Sequence, residues 1–214
     1  MPSTYTPASA WSALVDGNHR FVSGAMEHPS QGVSHRAELS TAQNPFAVVF
    51  GCSDSRVAAE IIFDRGLGEI FVVRTAGHVV DTTVLGSIEY GVEVLGASLV
   101  VVLGHDSCGA VQAAAEALTT GVMPTGFVRA IVDRVIPSIV THPDDSRPGG
   151  GHLAVPSSEI LGREHLRHTV DMLLSYSAAL SAAVAEGRCA VVGMEYTLAE
   201  GAARTVDIRG DVGA

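Results

Sequence analysis

The sequence predicts an α/β fold with a mostly parallel central β-sheet flanked by helices. Four short β-rich runs alternate along the chain with helical segments. The run PFAVVFG is continuously apolar, which is typical of a parallel strand buried on both faces. Glycine makes up 23 of the 214 residues and aromatic residues only 5%, which fits tight strand-to-helix turns better than a β-sandwich.

The elements follow in order along the chain. Residues 9–24 have the apolar spacing of an amphipathic helix, with Gly24 as its C-cap. The predicted strands are 45–51, 69–77, 97–105 and 188–197, and residues 197–208 suit a turn and a short edge strand. Helices are predicted at 57–66, 82–96, 108–121, 126–140 and 159–187. This alternation implies right-handed βαβ units.

A chain of this length can bury one sizeable core, so we predict a single domain over residues 1–214. Residues 1–25 form its N-terminal helical arm. Residues 141–157 are rich in Pro and Gly, which predicts a surface loop.

Charge and composition exclude several classes of protein. Lys and Arg total 13 against 23 acidic residues, a net charge of −10, so binding to nucleic acid or to an anionic membrane is not expected. No apolar run approaches the ~20 residues of a membrane helix, and the N-terminus has no signal-peptide pattern. We therefore expect a cytoplasmic protein whose three cysteines are thiols rather than a disulfide framework.

Two clusters of chemically active side chains follow predicted strands. Cys52 comes directly after the first strand, and His105 and Cys108 follow the third. Carboxyl ends of neighbouring parallel strands meet at one edge of a sheet, where ligands bind. Two thiols and an imidazole are the ligand set of a catalytic zinc site with one open position. The alternative for Cys52 and Cys108 is a structural role, because a cysteine after a strand is more often a small buried core residue. Cys189 opens an apolar strand with no polar partner nearby, and we interpret it as a core residue.

Asp54 and Arg56 share one short turn with Cys52. They could form a surface ion pair worth ~0–1 kcal/mol. Alternatively, the guanidinium could keep the carboxylate ionised and oriented beside a metal. The spacing alone favours neither interpretation strongly.

Together, several motifs resemble the β class of carbonic anhydrases. They are CSDSR at 52–56, VRTAG at 73–77, SIEY at 87–90, VLGH at 102–105 and CG at 108–109. The similarity runs from about residue 10 to about residue 208, and these motifs in this order are highly specific.

The resemblance implies one Zn²⁺ per subunit, held by Cys52, His105 and Cys108. Zinc-bound hydroxide would attack carbon dioxide to form bicarbonate and a proton. Asp54 would orient that hydroxide while Arg56 fixes the carboxylate. In some members of the family the matching aspartate closes the site by binding zinc itself, so Asp54 is a conditional ligand.

The family also implies a substrate pocket and an oligomer. Gln43, Phe71, Tyr90 and Gly109 match substrate-binding positions, the first three reaching into the site of a neighbouring subunit. By position alone, Phe71 and Tyr90 would be core residues. The resemblance implies a homodimer as the minimal active unit, with a tetramer as an alternative assembly. The N-terminal helix of the chain, with Trp11 and Phe21, has no obvious place in a compact core. The resemblance implies that this helix extends to the partner subunit.

Some members of the family have a second, regulatory bicarbonate site with a tryptophan three residues before the first cysteine. That position is Val49 here, although Arg74 is present where such sites have an arginine. We therefore expect an open, unregulated enzyme. His165 and His168 are three residues apart on a helix, and we expect them on a solvated face.

Two other functions remain open. A related zinc hydrolase could act on carbonyl sulfide or carbon disulfide with the same ligand set. A non-enzymatic zinc or redox sensor could use Cys52 and Cys108. The presence of Gln43, Asp54, Arg56 and Gly109 argues against the sensor, which needs no substrate pocket.

Overall fold

A five-stranded sheet lies at the centre of the protein, whose computed structural model describes residues 5–140 and 157–213. The strands are β1 (Ala47–Cys52), β2 (Ile70–Thr75), β3 (Leu99–His105), β4 (Ala190–Tyr196) and β5 (Ala203–Arg209). Their spatial order is β2-β1-β3-β4-β5, and β5 alone pairs antiparallel. The predicted α/β fold with a mostly parallel sheet and a C-terminal edge strand is confirmed. The predicted loop at 141–157 lies, up to residue 156, outside the described residues.

Helices cover the sheet and connect its strands. They are α1 (Pro7–Ser23), α2 (Val33–Glu38), α3 (Ala59–Ile62), α4 (Thr82–Glu89), α5 (Gly109–Thr120), α6 (Val128–Val135), α7 (Pro137–Val140), α8 (Ser158–Tyr176) and α9 (Ala178–Ala185). A 3₁₀ turn spans Ala76–His78, and a π-helical segment, Tyr90–Val94, extends α4. Over the described ranges, we find no helix that combines the length and apolar character of a membrane span.

The predicted helix at 159–187 is two helices. Ser177 breaks it with an extended backbone (φ −105°, ψ 102°). The hydroxyl of Ser177 accepts the backbone N–H of Leu180 and donates to Glu89 Oε1 at 2.6 Å. Serine is a favoured N-cap because its oxygen satisfies an otherwise unpaired N–H. Ser177 therefore ends α8 and caps the N-terminus of α9.

Helix α1 packs on its own chain. Ala10 and Leu14 are fully buried in the cluster on one face of the sheet. The Asn18 amide donates to the backbone carbonyls of Ile62 (3.1 Å) and Gly201 (2.9 Å). The expectation that this helix has no place in the core is therefore wrong, because it buries one face and is tied by hydrogen bonds to two distant segments. Its extension to a partner subunit stays a prediction.

The register of the sheet positions the site. Strands β1 and β3 are adjacent and pair from Ala47↔Leu99 to Gly51↔Leu103. Their carboxyl ends are therefore level, and Cys52 and His105 leave the same edge of the sheet.

His165 is buried, so the expectation of a solvated face is wrong for this residue. Its ring lies between the Ser138 hydroxyl (2.7 Å from Nδ1) and the Gly77 carbonyl (2.8 Å from Nε2). His78 is also buried, and its ring centroid is 4.4 Å from that of His165. Periodicity placed His165 on a helix but could not show which face packs against the turn at 76–78.

These buried histidines predict acid sensitivity of the fold. Burial lowers the pKa of His165 to about 4 and that of His78 well below its usual value. In the unfolded chain these histidines take up protons near pH 6.5, whereas in the folded protein they stay neutral at that pH. Their contribution to the free energy of unfolding is therefore complete above pH 6.5 and is lost as the pH falls toward 4. From about pH 7.5 to about pH 5, His165 alone should lower the free energy of unfolding by about 2 kcal/mol.

Urea unfolding of the metal-free protein at several pH values measures this effect. A His165→Gln variant, which has no titrating ring, should show a shallower dependence on pH than the wild-type protein. Equal slopes for the two proteins would contradict the assignment.

Candidate metal centre

Three potential metal ligands converge at the carboxyl edge of the sheet. Cys52 ends β1, His105 ends β3, and Cys108 is the N-cap residue of α5. Their ligand atoms all lie within 4.8 Å of one another, and all three residues are buried. The structure thus brings together residues that are more than fifty positions apart in the sequence.

The imidazole of His105 is oriented for metal binding. Its Nδ1 lies 2.7 Å from the backbone carbonyl of Asp106. Because a carbonyl only accepts, Nδ1 carries the hydrogen and Nε2 has a free lone pair. Within the described residues, this buried Nε2 has no hydrogen-bond partner. An unpaired acceptor beside two sulfur atoms fits a metal ion, and the contact to Asp106 supplies the outer support that histidine ligands usually have.

The two thiols are strongly coupled. Hydrogen bonding from Cys108 lowers the pKa of Cys52 to about 4, and the same contact raises the pKa of Cys108. The Gly77 N–H also donates to Cys52 Sγ at 3.3 Å. Burial acts to lower the pKa of His105, but the Cys52 thiolate outweighs burial and raises it. Metal ligation requires both sulfurs as thiolates, so binding of a metal ion would release the proton that they share.

Asp54 and Arg56 form a two-point ion pair beside this group. Arg56 Nε donates to Asp54 Oδ1 at 2.9 Å, and its terminal nitrogen donates to Oδ2 at 2.6 Å. Asp54 Oδ2 is 3.9 Å from His105 Nε2. Arg56 holds the pKa of the Asp54 carboxyl well below its usual range. The Arg56 side chain is 52% exposed, so the pair contributes little stability, and its effect is on the charge and orientation of the carboxylate.

Comparison with known proteins places this site in a family. A family model described as carbonic anhydrase matches residues 47–203. Carbonic anhydrase 2 of Mycobacterium tuberculosis is 53% identical over 213 residues, covering 100% of this chain and 99% of that protein. The chain belongs to the β-class carbonic anhydrase family.

Solved β-carbonic anhydrases share its fold. The Coccomyxa enzyme, solved in complex with acetazolamide, superposes with a TM-score of 0.69 at 23% identity, covering 93% of this chain and 88% of that one. One of two tetrameric enzymes from Sordaria macrospora gives 0.66 at 21% identity, covering 79% and 84%.

Arg74 has a role at this site that sequence analysis missed. It lies on β2 opposite Gly51 in the sheet register. Its Nε donates to the Cys52 carbonyl at 2.9 Å, and a terminal nitrogen donates to the Asp54 carbonyl at 2.6 Å. The guanidinium therefore holds the backbone of the segment that carries Cys52, a candidate metal ligand, and Asp54. An arginine within an apolar strand is the signal that could have indicated this contact.

The residues predicted to bind substrate lie in different environments. Gly109 is the first residue of α5, directly after Cys108. The Phe71 and Tyr90 ring centroids are 6.2 Å apart. Tyr90 is 46% exposed and Phe71 is half-buried, so the core alternative is wrong for Tyr90. Gln43 is exposed just before β1. The predicted reach of Gln43, Phe71 and Tyr90 into a neighbouring subunit stays a prediction.

Proposed function

We propose that the protein hydrates carbon dioxide reversibly to bicarbonate and a proton, using one Zn²⁺ per chain held by Cys52, His105 and Cys108. The buried group of two sulfurs and an unpartnered imidazole nitrogen carries this proposal. The family to which the chain belongs and its 53% identity to carbonic anhydrase 2 of Mycobacterium tuberculosis support carbon dioxide hydration as the reaction.

The ligand set favours zinc over harder cations. Thiolate and imidazole suit zinc, whereas calcium and magnesium prefer oxygen. Three protein ligands leave a fourth position open, as in catalytic sites. When bound, zinc supplies the Lewis acidity that makes water a nucleophile near neutral pH.

Asp54 orients the attacking water. Its ionised carboxylate accepts the O–H of that water, which aims the oxygen lone pair at carbon dioxide. Arg56 keeps the carboxylate charged and fixed, because it donates to both oxygens. A closed state, in which Asp54 leaves Arg56 and becomes a ligand, belongs to the same proposal. The intact ion pair corresponds to the open arrangement.

The substrate pocket is completed by a second subunit. The Gly109 N–H lies at the N-terminus of α5, where unpaired N–H groups favour a bicarbonate oxygen. Gln43, Phe71 and Tyr90 contribute from the partner in a homodimer. The Sordaria macrospora enzymes are described as tetrameric, which supports a tetramer as an alternative assembly. Reduced cysteines in a cytoplasmic setting fit the same proposal.

Metal analysis and stopped-flow carbon dioxide hydration between about pH 6 and pH 9 test the proposed function. We expect one zinc per chain and rapid hydration. Sulfide release from carbonyl sulfide, measured on the same sample, tests the alternative hydrolase and should be slower by orders of magnitude. Bound zinc without hydration at any pH would contradict the proposal, as would faster turnover of carbonyl sulfide.

We also expect no regulatory bicarbonate at Arg74. Anion binding there would compete with its hydrogen bonds to the Cys52 and Asp54 carbonyls. Val49 is fully buried and has no ring to cover an anion. Crystals soaked in bicarbonate should show no anion on the Arg74 guanidinium, and hydration should show no cooperative inhibition by bicarbonate. Density for bicarbonate at Arg74 would overturn this expectation.

A further inference from the structure

A buried chain of hydrogen bonds leads from α8 to the metal-ligating Cys52. His165 Nε2 lies 2.8 Å from the Gly77 carbonyl, which only accepts, so Nε2 is the donor. The Gly77 N–H in turn donates to Cys52 Sγ at 3.3 Å. The opposite ring nitrogen, Nδ1, then accepts from the Ser138 hydroxyl at 2.7 Å. The carbonyl of Gly77 thus accepts a hydrogen bond from His165, and its N–H donates one to the Cys52 sulfur.

The turn at Ala76–His78 depends on such outside contacts. Gly77 has φ +65° and His78 has φ +42°, values that L-residues rarely adopt. A Cβ on Gly77 would lie 2.6 Å from the Ala110 side chain, so the turn is pressed against the first turn of α5. Strained backbone persists only where its surroundings hold it. The hydrogen bond from His165 to the Gly77 carbonyl is one of the contacts that hold this turn.

The His165 ring is held in one orientation and one charge state. The side chain is fully buried, and the ring of His78 packs against it. Burial lowers its pKa to about 4, so the ring is neutral at the pH where the enzyme is proposed to work. The donor on Nε2 is therefore always directed at the Gly77 carbonyl.

We propose that His165 is a positioning residue of the metal site: by fixing the Gly77 carbonyl, it holds the backbone dihedrals of Gly77 that aim the Gly77 N–H at the Cys52 sulfur. This inference rests on the proposed function, because it takes Cys52 to be a zinc ligand. Hydrogen bonds to a ligating sulfur set its orientation and donor strength. Loss of such outer support typically costs about 10- to 100-fold in metal affinity.

Two polar substitutions of similar size separate positioning from simple packing. In His165→Gln, the side-chain amide nitrogen comes close to the former Nε2 and can still donate to Gly77. In His165→Asn, the shorter amide reaches only the former Nδ1 position, near Ser138. A third variant, Leu173→Ala, removes a fully buried side chain from the same helix away from the turn, and it serves as the control for lost stability.

Zinc affinity is measured by chelator competition, and thiolate-to-cobalt charge-transfer absorption is recorded after Co²⁺ substitution. We expect His165→Asn to weaken zinc binding about tenfold or more and to shift the cobalt band, while His165→Gln stays within about threefold of wild type. Leu173→Ala should lower the melting temperature without changing either readout.

Equal zinc affinities for His165→Asn and wild type would overturn this inference but not the proposed function. Equal weakening by His165→Asn and His165→Gln, or by Leu173→Ala, would also overturn it, because all would then reflect packing. A wild-type protein that binds no zinc would instead overturn the proposed function on which the inference rests.

Discussion

A Cys108→Ser variant is expected to lose its zinc and about 10³-fold or more of its hydration rate, equivalent to about 4 kcal/mol of transition-state stabilisation. A serine hydroxyl is a poor zinc ligand, because it does not ionise as a thiol does. Only Cys52 and His105 would then remain of the buried group. Zinc content and stopped-flow hydration measure both losses on one sample.

Cys189→Ser is the matched control for this variant. Cys189 is buried at the start of β4, and burial raises the pKa of its thiol to about 12. The same substitution there buries a hydroxyl and should lower stability, but it should leave zinc content and the hydration rate per folded molecule unchanged. Stoichiometric zinc in Cys108→Ser would contradict the proposed ligand set.

The Asp54→Asn variant is expected to keep its zinc and lose about 10²- to 10³-fold in turnover. Asparagine has nearly the same shape, but its neutral amide cannot pair with Arg56 as an ion or accept a proton strongly. The carboxylate lies beside His105 Nε2 without being one of the three clustered ligands. Turnover should therefore fall while metal affinity changes little.

Asp81→Asn provides the corresponding control. Asp81 caps α4 by accepting the N–H groups of Thr83 and Val84, and asparagine caps helices about as well. This variant should match the wild type in both zinc content and turnover. If Asp54→Asn loses its zinc, Asp54 holds the site together and is not the residue that orients the attacking water.

Local patterns were sufficient to predict the sheet and the convergence of Cys52, His105 and Cys108 at one of its edges. Continuous apolar runs mark parallel strands, and the carboxyl ends of adjacent parallel strands lie together whatever the details of packing. For that reason, residues as distant as Cys52 and His105 could be assigned to one site before any contact was known.

Contacts between elements that are distant in the chain could not be predicted from the sequence. Arg74 donates to the carbonyl of Cys52, at the end of the neighbouring strand, and to that of Asp54 just beyond it. His165 bonds to the turn at 76–78. Local spacing determines none of these partners. Similarly, Ser177 divides α8 from α9 through its contact with Glu89. Helical periodicity does not indicate which face meets a neighbour, so buried polar side chains such as His165 were assigned to solvent.

Whether zinc at this site hydrates carbon dioxide is tested by titrating the metal-free protein with zinc and measuring stopped-flow carbon dioxide hydration at each step. We expect the hydration rate to rise in proportion to added zinc and to stop rising at one zinc per chain. Full activity before zinc is added, or saturation with zinc without any activity, would contradict it.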